Sequence, residues 1–111
     1  MKKTNILKKN TDFNRIINTT KSLKSYNFII YIEKNTNDNY HFGISVGKKI
    51  GTAVVRNRIK RQIKNIIDEK SYKNDFNCII IVKRGILNLS FLEMKKELNN
   101  QFEKLDIIKE K

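Results

Sequence analysis

Proline and tryptophan are absent from this 111-residue chain, glycine occurs four times, and cysteine and histidine occur once each. With no proline and so little glycine, nothing marks a linker or a low-complexity stretch, and residues 1–111 read as one domain. A lone cysteine, Cys78, excludes an intramolecular disulfide. A domain of this length buries roughly 65% of the surface its unfolded chain exposes, enough to fold without disulfides or a structural metal. No apolar run approaches the ~18 residues of a membrane helix. Lys2 and Lys3 are followed by no apolar run of signal-peptide length, so a soluble cytoplasmic protein is expected.

Acidic residues are also scarce, with 11 Asp and Glu against 24 Lys and Arg and a formal charge of +13. A field this positive attracts polyanions, either nucleic acid or an anionic membrane. A basic surface kept for solubility alone fits less well, because self-repulsion on this scale opposes a compact fold unless a partner offsets it. From Asn39 to Ile67 there is no acid at all, while Lys48, Lys49, Arg56, Arg58, Lys60, Arg61 and Lys64 fall there. The chain prefers lysine, yet three of its five arginines lie between 56 and 61. The planar, five-donor guanidinium suits bidentate or stacked recognition of phosphates and bases, which lysine cannot match.

The pattern predicts the order αββαβα, an α/β (α+β) two-layer sandwich with a small sheet. Residues 1–10 read as an extended basic arm with Lys2, Lys3, Lys8 and Lys9, and residues 106–111 as a loose tail. Asn10 or Thr11 caps a short helix to about Asn18, with Phe13, Ile16 and Ile17 on one face. Lys21–Ser25 reads as a polar connection. The run Asn27–Lys34 is too apolar for a strand with one wet face, so both faces should be covered. Asn35–Asn39 is a turn, and Tyr40–Val46 alternates as the antiparallel partner of the preceding strand. Gly47–Gly51 is a lysine-bearing loop, and a long helix runs from Thr52 to about Glu69. Asn77–Lys83 is a second buried strand. Ser90 caps a last helix to about Lys104, with Leu92, Leu98, Phe102 and Leu105 as core candidates.

On a wheel of about 100° per residue, Val55, Ile59, Ile63 and Ile66 of the long helix share a stripe. Arg56, Asn57, Arg58, Lys60, Arg61, Lys64 and Asn65 occupy the rest. A solvated surface helix normally carries acids at i±4 to pair with its cations, and here none precedes Asp68. A membrane-surface or calmodulin-target helix would need its apolar stripe free, whereas the strands need that stripe as a core partner. Nucleic-acid binding remains, and Asn57 and Asn65 suit phosphates, 2′-hydroxyls or base edges.

The run Phe42–Lys64 reads Phe-Gly-Ile-Ser-Val-Gly-Lys-Lys-Ile-Gly-Thr-Ala-Val-Val-Arg-Asn-Arg-Ile-Lys-Arg-Gln-Ile-Lys. It closely resembles the signature of the protein subunit of bacterial ribonuclease P, most specifically in Arg-Asn-Arg-Ile-Lys-Arg at 56–61. The opening Lys-Lys-x-x-x-Leu-Lys-Lys-Asn-x-Asp-Phe at 2–13 and the strand with Phe28 and Tyr31 match as well, so the resemblance spans about 2–105.

The resemblance implies a small mixed sheet with a left-handed βαβ crossover, a fold shared with a small-subunit ribosomal protein domain and a domain of elongation factor G. It implies an RNA subunit that cleaves the 5′ leader from precursor tRNA with Mg²⁺ at the RNA active site, none of it bound tightly by the protein. It implies a monomer in a 1:1 complex with that RNA. Lys48, Lys49, Arg56, Asn57, Arg58, Lys60, Arg61 and Lys64 would face the catalytic RNA, and a cleft with Phe13, Ile17 and Tyr31 would hold the leader. The sequence agrees that the chain lacks an active site of its own, and no catalytic or metal-ligating residue is assigned. His41 and Cys78 cannot build a nuclease constellation together, and Asp68, Glu69, Glu93 and Glu97 form no visible pair. Ile17 stands where relatives often place a second cleft aromatic, and Gly47 where many have Ser. A ribosomal or general RNA-chaperone protein is the main alternative, and an autonomous nuclease the third.

Overall fold

The computed structural model describes residues 1–7 and 10–109. Its regular elements are α1 (Asn10–Thr19), β1 (Ser22–Lys24), β2 (Phe28–Lys34), β3 (His41–Ser45), α2 (Ala53–Asp68), β4 (Phe76–Val82) and α3 (Phe91–Leu105). The expected α+β fold with a small mixed sheet is adopted, with strand order β1-β2-β4-β3; its helices cover both faces of the sheet rather than one, so the two layers expected become three.

Two expectations about the sheet change. Tyr40–Val46 is not the antiparallel partner of β2. Instead β3 pairs in parallel with β4 (Phe42 opposite Cys78, Ile44 opposite Ile80), and β4 pairs antiparallel with β2. The reason lies in the faces. Every residue of β4 except Ile81 is buried, and a strand apolar on both sides belongs in the middle of a sheet. β3 carries His41, Gly43 and Ser45 on one face and tolerates the edge. The second change is β1, which lies within the expected connection Lys21–Ser25 and pairs Leu23 with Ile30 of β2. A tight turn closes this hairpin, the Ser25 N–H donating to the Phe28 carbonyl at 2.9 Å. Three residues with one leucine are too few to show an alternation.

The strand registers sort side chains between two faces. Phe28, Ile30, Phe42, Cys78, Ile80 and Val82 join Ile59, Ile63, Ile66 and Ile67 of α2 and Met94, Leu98 and Phe102 of α3 in the main core. Phe42, Tyr72, Phe76 and Phe102 meet there at ring-centroid distances of 5.0–6.3 Å. Ile79, on the opposite face, is fully buried with Ile16 of α1 yet lies outside that core. So α1 lies across the sheet from α2 and α3.

The last helix opens on a capping box, in which Ser90 Oγ accepts from Glu93 N–H and the Glu93 carboxylate accepts from Ser90 N–H. Leu92 is not in the core; it is 74% exposed. The buried stripe of α3 is Met94, Leu98, Gln101 and Phe102, and Leu92, two residues before Met94, points about 200° away from it.

Both ends are more firmly held than the sequence suggests. Residues 1–7 are not a free arm. Ile6 forms a parallel bridge with Phe42, and the Nδ2 of buried Asn5 donates to Asn39 Oδ1 and the Tyr40 carbonyl. Lys8 and Lys9 lie outside the described residues, as does the side chain of Asn10. At the other end Asp106 turns the chain in a left-handed conformation (φ 55°). Ile107 is then buried and Ile108 bridges to Tyr72. Residues 107–109 are thus anchored rather than loose, because Ile107 joins the same core as Tyr72; residues 110–111 lie outside the described range.

Candidate nucleic-acid interface

Thr52 caps α2, its hydroxyl accepting from Val55 N–H at 3.4 Å, and no acid sits in the first turn. The free N–H groups of that turn leave positive charge at the helix start, the end that favours anions. Lys48 and Lys49 are exposed in a single turn, Lys48–Ile50, just before it. Buried Ile50 pins this turn to the core.

The buried stripe of α2 is Ile59, Ile63, Ile66 and Ile67, with Val55 half-buried. Ile67 widens the stripe toward Arg56. Arg56, Lys60 and Lys64 therefore run down the shoulder, half-buried, while Asn57, Arg58, Arg61 and Asn65 are exposed. On that shoulder the Arg56 Nε is buried with no hydrogen-bond partner. Among the described residues, none of the seven cations at 48, 49, 56, 58, 60, 61 and 64 has a carboxylate partner. The ion pairs use Arg15, Lys34, Lys73, Lys95 and the Met1 amine instead. Cations this crowded, three of them four residues apart on one helix, repel one another.

The second predicted surface is on the other face of the sheet. Gly43, Ile79, Tyr31 and Ser22 form one row across the four strands. Phe13 of α1 lies on Gly43 so closely that a Cβ there would stand 2.4 Å from its Cζ. Phe13, Ile17 and Tyr31 are each half-buried. α1, held down by Ile16, thus brings Phe13 and Ile17 to the sheet face that presents Tyr31. Gly43 does not stand out in the sequence as a site residue. Its signal is the alternation of β3, which puts a residue without a side chain on the face that receives an aromatic ring.

A polar network at one end of this face is equally unannounced by the sequence. Arg15 of α1 makes a bidentate ion pair with Glu33, which also accepts from Asn77 Nδ2 at 3.0 Å. His41 Nδ1 stands 2.8 Å from Asn77 Oδ1, so that nitrogen carries a proton. The Arg15 hydrogen bond, then that of Asn77, holds the Glu33 carboxyl below its ordinary range against the opposing effect of partial burial. The network is structural, tying α1 to β2 and β4. Cys78 is fully buried, and loss of water pushes its thiol pKa far up, leaving it protonated and inert. Among the described residues no three His, Cys, Asp or Glu side chains gather into a metal-binding group, and no helix is long and apolar enough to cross a membrane.

Residues 1–106 match the family model for ribonuclease P. The chain belongs to the ribonuclease P protein family. Among curated relatives, the ribonuclease P protein component of Mycoplasma mobile is 40% identical over 112 residues, covering 100% of this chain and 98% of its own. That of Mycoplasma mycoides is 42% identical over 101 residues, covering 88% and 93%. The solved Staphylococcus aureus ribonuclease P protein superposes with a TM-score of 0.83 at 28% identity, covering 95% of this chain and 98% of its own. The Thermotoga maritima protein does so at 0.80 and 26%, covering 88% and 94%. The motif at 56–61 that carries the ribonuclease P resemblance is thus the stretch that α2 displays.

Proposed function

We propose that this chain, a protein subunit of the tRNA-processing endoribonuclease ribonuclease P, grips two RNA segments at once and leaves the bond cleavage to the RNA subunit. Lys48, Lys49, Arg56, Asn57, Arg58, Lys60, Arg61 and Lys64 contact the catalytic RNA. The cleft of Phe13, Ile17 and Tyr31 holds the single-stranded 5′ leader of precursor tRNA. The observation that carries the first contact is the run of seven cations, from 48 to 64, without a carboxylate partner among the described residues. Such a surface lowers its own energy by taking up phosphates and releasing their counterions. Half-buried aromatic faces accept unpaired bases without strict sequence preference, at about 1–3 kcal/mol per base. That suits an enzyme with many leaders to process.

In this reading the protein lowers the repulsion between two polyanions. It thereby raises the affinity of the RNA subunit for substrate and for the Mg²⁺ of the RNA active site, one protein to one RNA. The test is precursor-tRNA cleavage at low Mg²⁺ by the RNA subunit alone, the protein alone, and the mixture. A large gain only in the mixture is expected. Cleavage by the protein alone would identify an autonomous nuclease, and no gain in the mixture would identify a general RNA chaperone.

A further inference from the structure

The tightest turn of the sheet carries its most exposed aromatic. Tyr26, between β1 and β2, is 92% exposed, yet the backbone beneath it is fixed by Glu97 and Lys83. The Glu97 carboxylate of α3 accepts from the Ser25 hydroxyl, from Asn27 N–H at 2.8 Å and from Asn27 Nδ2 at 2.6 Å. Lys83 Nζ donates to the Ser25 carbonyl at 3.0 Å, and Lys83 N–H to the Asn27 carbonyl at 2.8 Å. An exposed ring on a rigid turn is a stacking platform that loses little freedom when something lies on it.

The ring borders an open cleft of about 620 Å³ lined by Lys24, Lys83, Glu97, Gln101 and Lys104 among others. The carboxylate in its wall is that of Glu97, which the turn already engages with three donors. Lys24 and Lys104 have no carboxylate partner among the described residues. Gln101 is 4% exposed, and its Oε1 has no hydrogen-bond partner. A buried amide oxygen left unpaired is costly, and a ligand that donates a hydrogen bond would relieve that cost once the Gln101 amide, now closed to solvent, turns its oxygen toward the cleft. An aromatic face, two free ammonium groups and a wanting acceptor are together the chemistry of an unpaired nucleotide: base on ring, phosphates on lysines, a base N–H or 2′-hydroxyl to the amide.

We infer that the Tyr26 cleft is a third RNA-binding site, taking one unpaired nucleotide, separate from the α2 surface and from the Phe13–Tyr31 cleft. That nucleotide belongs either to the RNA subunit or to the distal part of a long leader, and the experiment separates these sources. Affinities of the full chain for the RNA subunit alone, and of the holoenzyme for precursor tRNA with a short and with a long leader, are measured for wild type, Tyr26→Ala, Tyr26→Phe and Lys24→Ala/Lys104→Ala. Equal thermal unfolding checks that the exposed substitutions leave the fold intact. Tyr26→Ala is expected to weaken one arm about fivefold to a hundredfold, and Tyr26→Phe, which keeps the ring face, to retain binding. The lysine double variant should flatten the salt dependence of the same arm by roughly 0.7 log–log unit for each phosphate it no longer holds. Weakening with the RNA subunit alone places the nucleotide there; weakening confined to the long leader places it in the substrate. No change in either arm, or equal damage from Phe and Ala, overturns the inference. An Arg58→Ala/Arg61→Ala control in the same titrations reads the α2 surface separately, so the failure of one site does not stand for the failure of the other.

Discussion

Gly43→Ala adds one methyl group where the structure leaves no room for it. Its Cβ would stand 2.4 Å from Phe13 Cζ and 2.8 Å from Cε2, well inside van der Waals contact. Gly43 is not in the left-handed region, so the backbone at 43 accepts alanine and the whole effect is steric. Either the strand or the ring must yield. β3 is paired with β4 and pinned by fully buried Phe42, whereas Phe13 is half-buried, so the ring swings away from the sheet. Overpacking of this kind costs about 1–3 kcal/mol. For a domain this size each kcal/mol lowers Tm by roughly 4 °C or more. The displaced ring also leaves the proposed leader cleft, at a further cost of about 1–3 kcal/mol for a base stacked on it. Urea unfolding reads the first effect, and the affinity difference between long-leader and leaderless precursor tRNA reads the second. Phe13→Ala removes the clash, so the double variant should be more stable than the sum of the two single changes predicts, by about 0.5–3 kcal/mol. Affinity for the RNA subunit alone should stay put, since α2 lies across the sheet. If Gly43→Ala unfolds like wild type, or the double variant is simply additive, Phe13 does not rest on Gly43 in solution and the cleft geometry is wrong.

Arg58→Ala/Arg61→Ala should leave unfolding within about 0.5 kcal/mol, since both side chains are exposed. It should weaken RNA-subunit binding and reduce its log–log salt slope by roughly 0.7–0.9 for each phosphate no longer neutralised; an unchanged slope excludes direct phosphate binding by these arginines. The Glu33 carboxyl is held below its ordinary range when folded, so its stabilising effect is present above that range and is lost as pH falls through the folded value. Glu33→Gln should therefore remove part of the acid dependence of stability, and urea melts at neutral and acidic pH that keep the wild-type difference would refute it. Ser90→Ala breaks the capping box of α3 and should cost about 1 kcal/mol of global stability, measured by the same melts.

How much of the molecule is legible in its sequence depends on whether a signal is local. The α2 stripe of Ile59, Ile63 and Ile66 follows from a 3.6-residue period, and the Ser90 cap from four neighbouring residues, so both are readable. The free basic face is readable from the absence of acids, although Ile67 moves Arg56 to a half-buried shoulder. Pairing is not readable. Tyr40–Val46 follows β2 through a short turn and alternates like a hairpin partner, but its neighbour is decided by β4, more than 30 residues later. Leu92 looks apolar enough for the core, and only the phase set by Met94 and Leu98 excludes it. The cleft residues Phe13, Ile17 and Tyr31 come from the family resemblance. Gly43, which makes space for Phe13, and the Arg15–Glu33–Asn77–His41 tie that holds α1 down need the register of three strands.

The central place of β4 bears on how this protein comes into being. Neither β2 nor β3 finds its long-range partner until residues 76–82 have been made, and both meanwhile present unpaired edges. The nascent chain by then carries the whole of its acid-free basic stretch. Long-range pairing that must wait for a late strand is slow and prone to wrong partners. Charge repulsion keeps such chains apart but also resists their collapse. The late arrival of β4 and the unpaired charge of the basic stretch therefore oppose folding together.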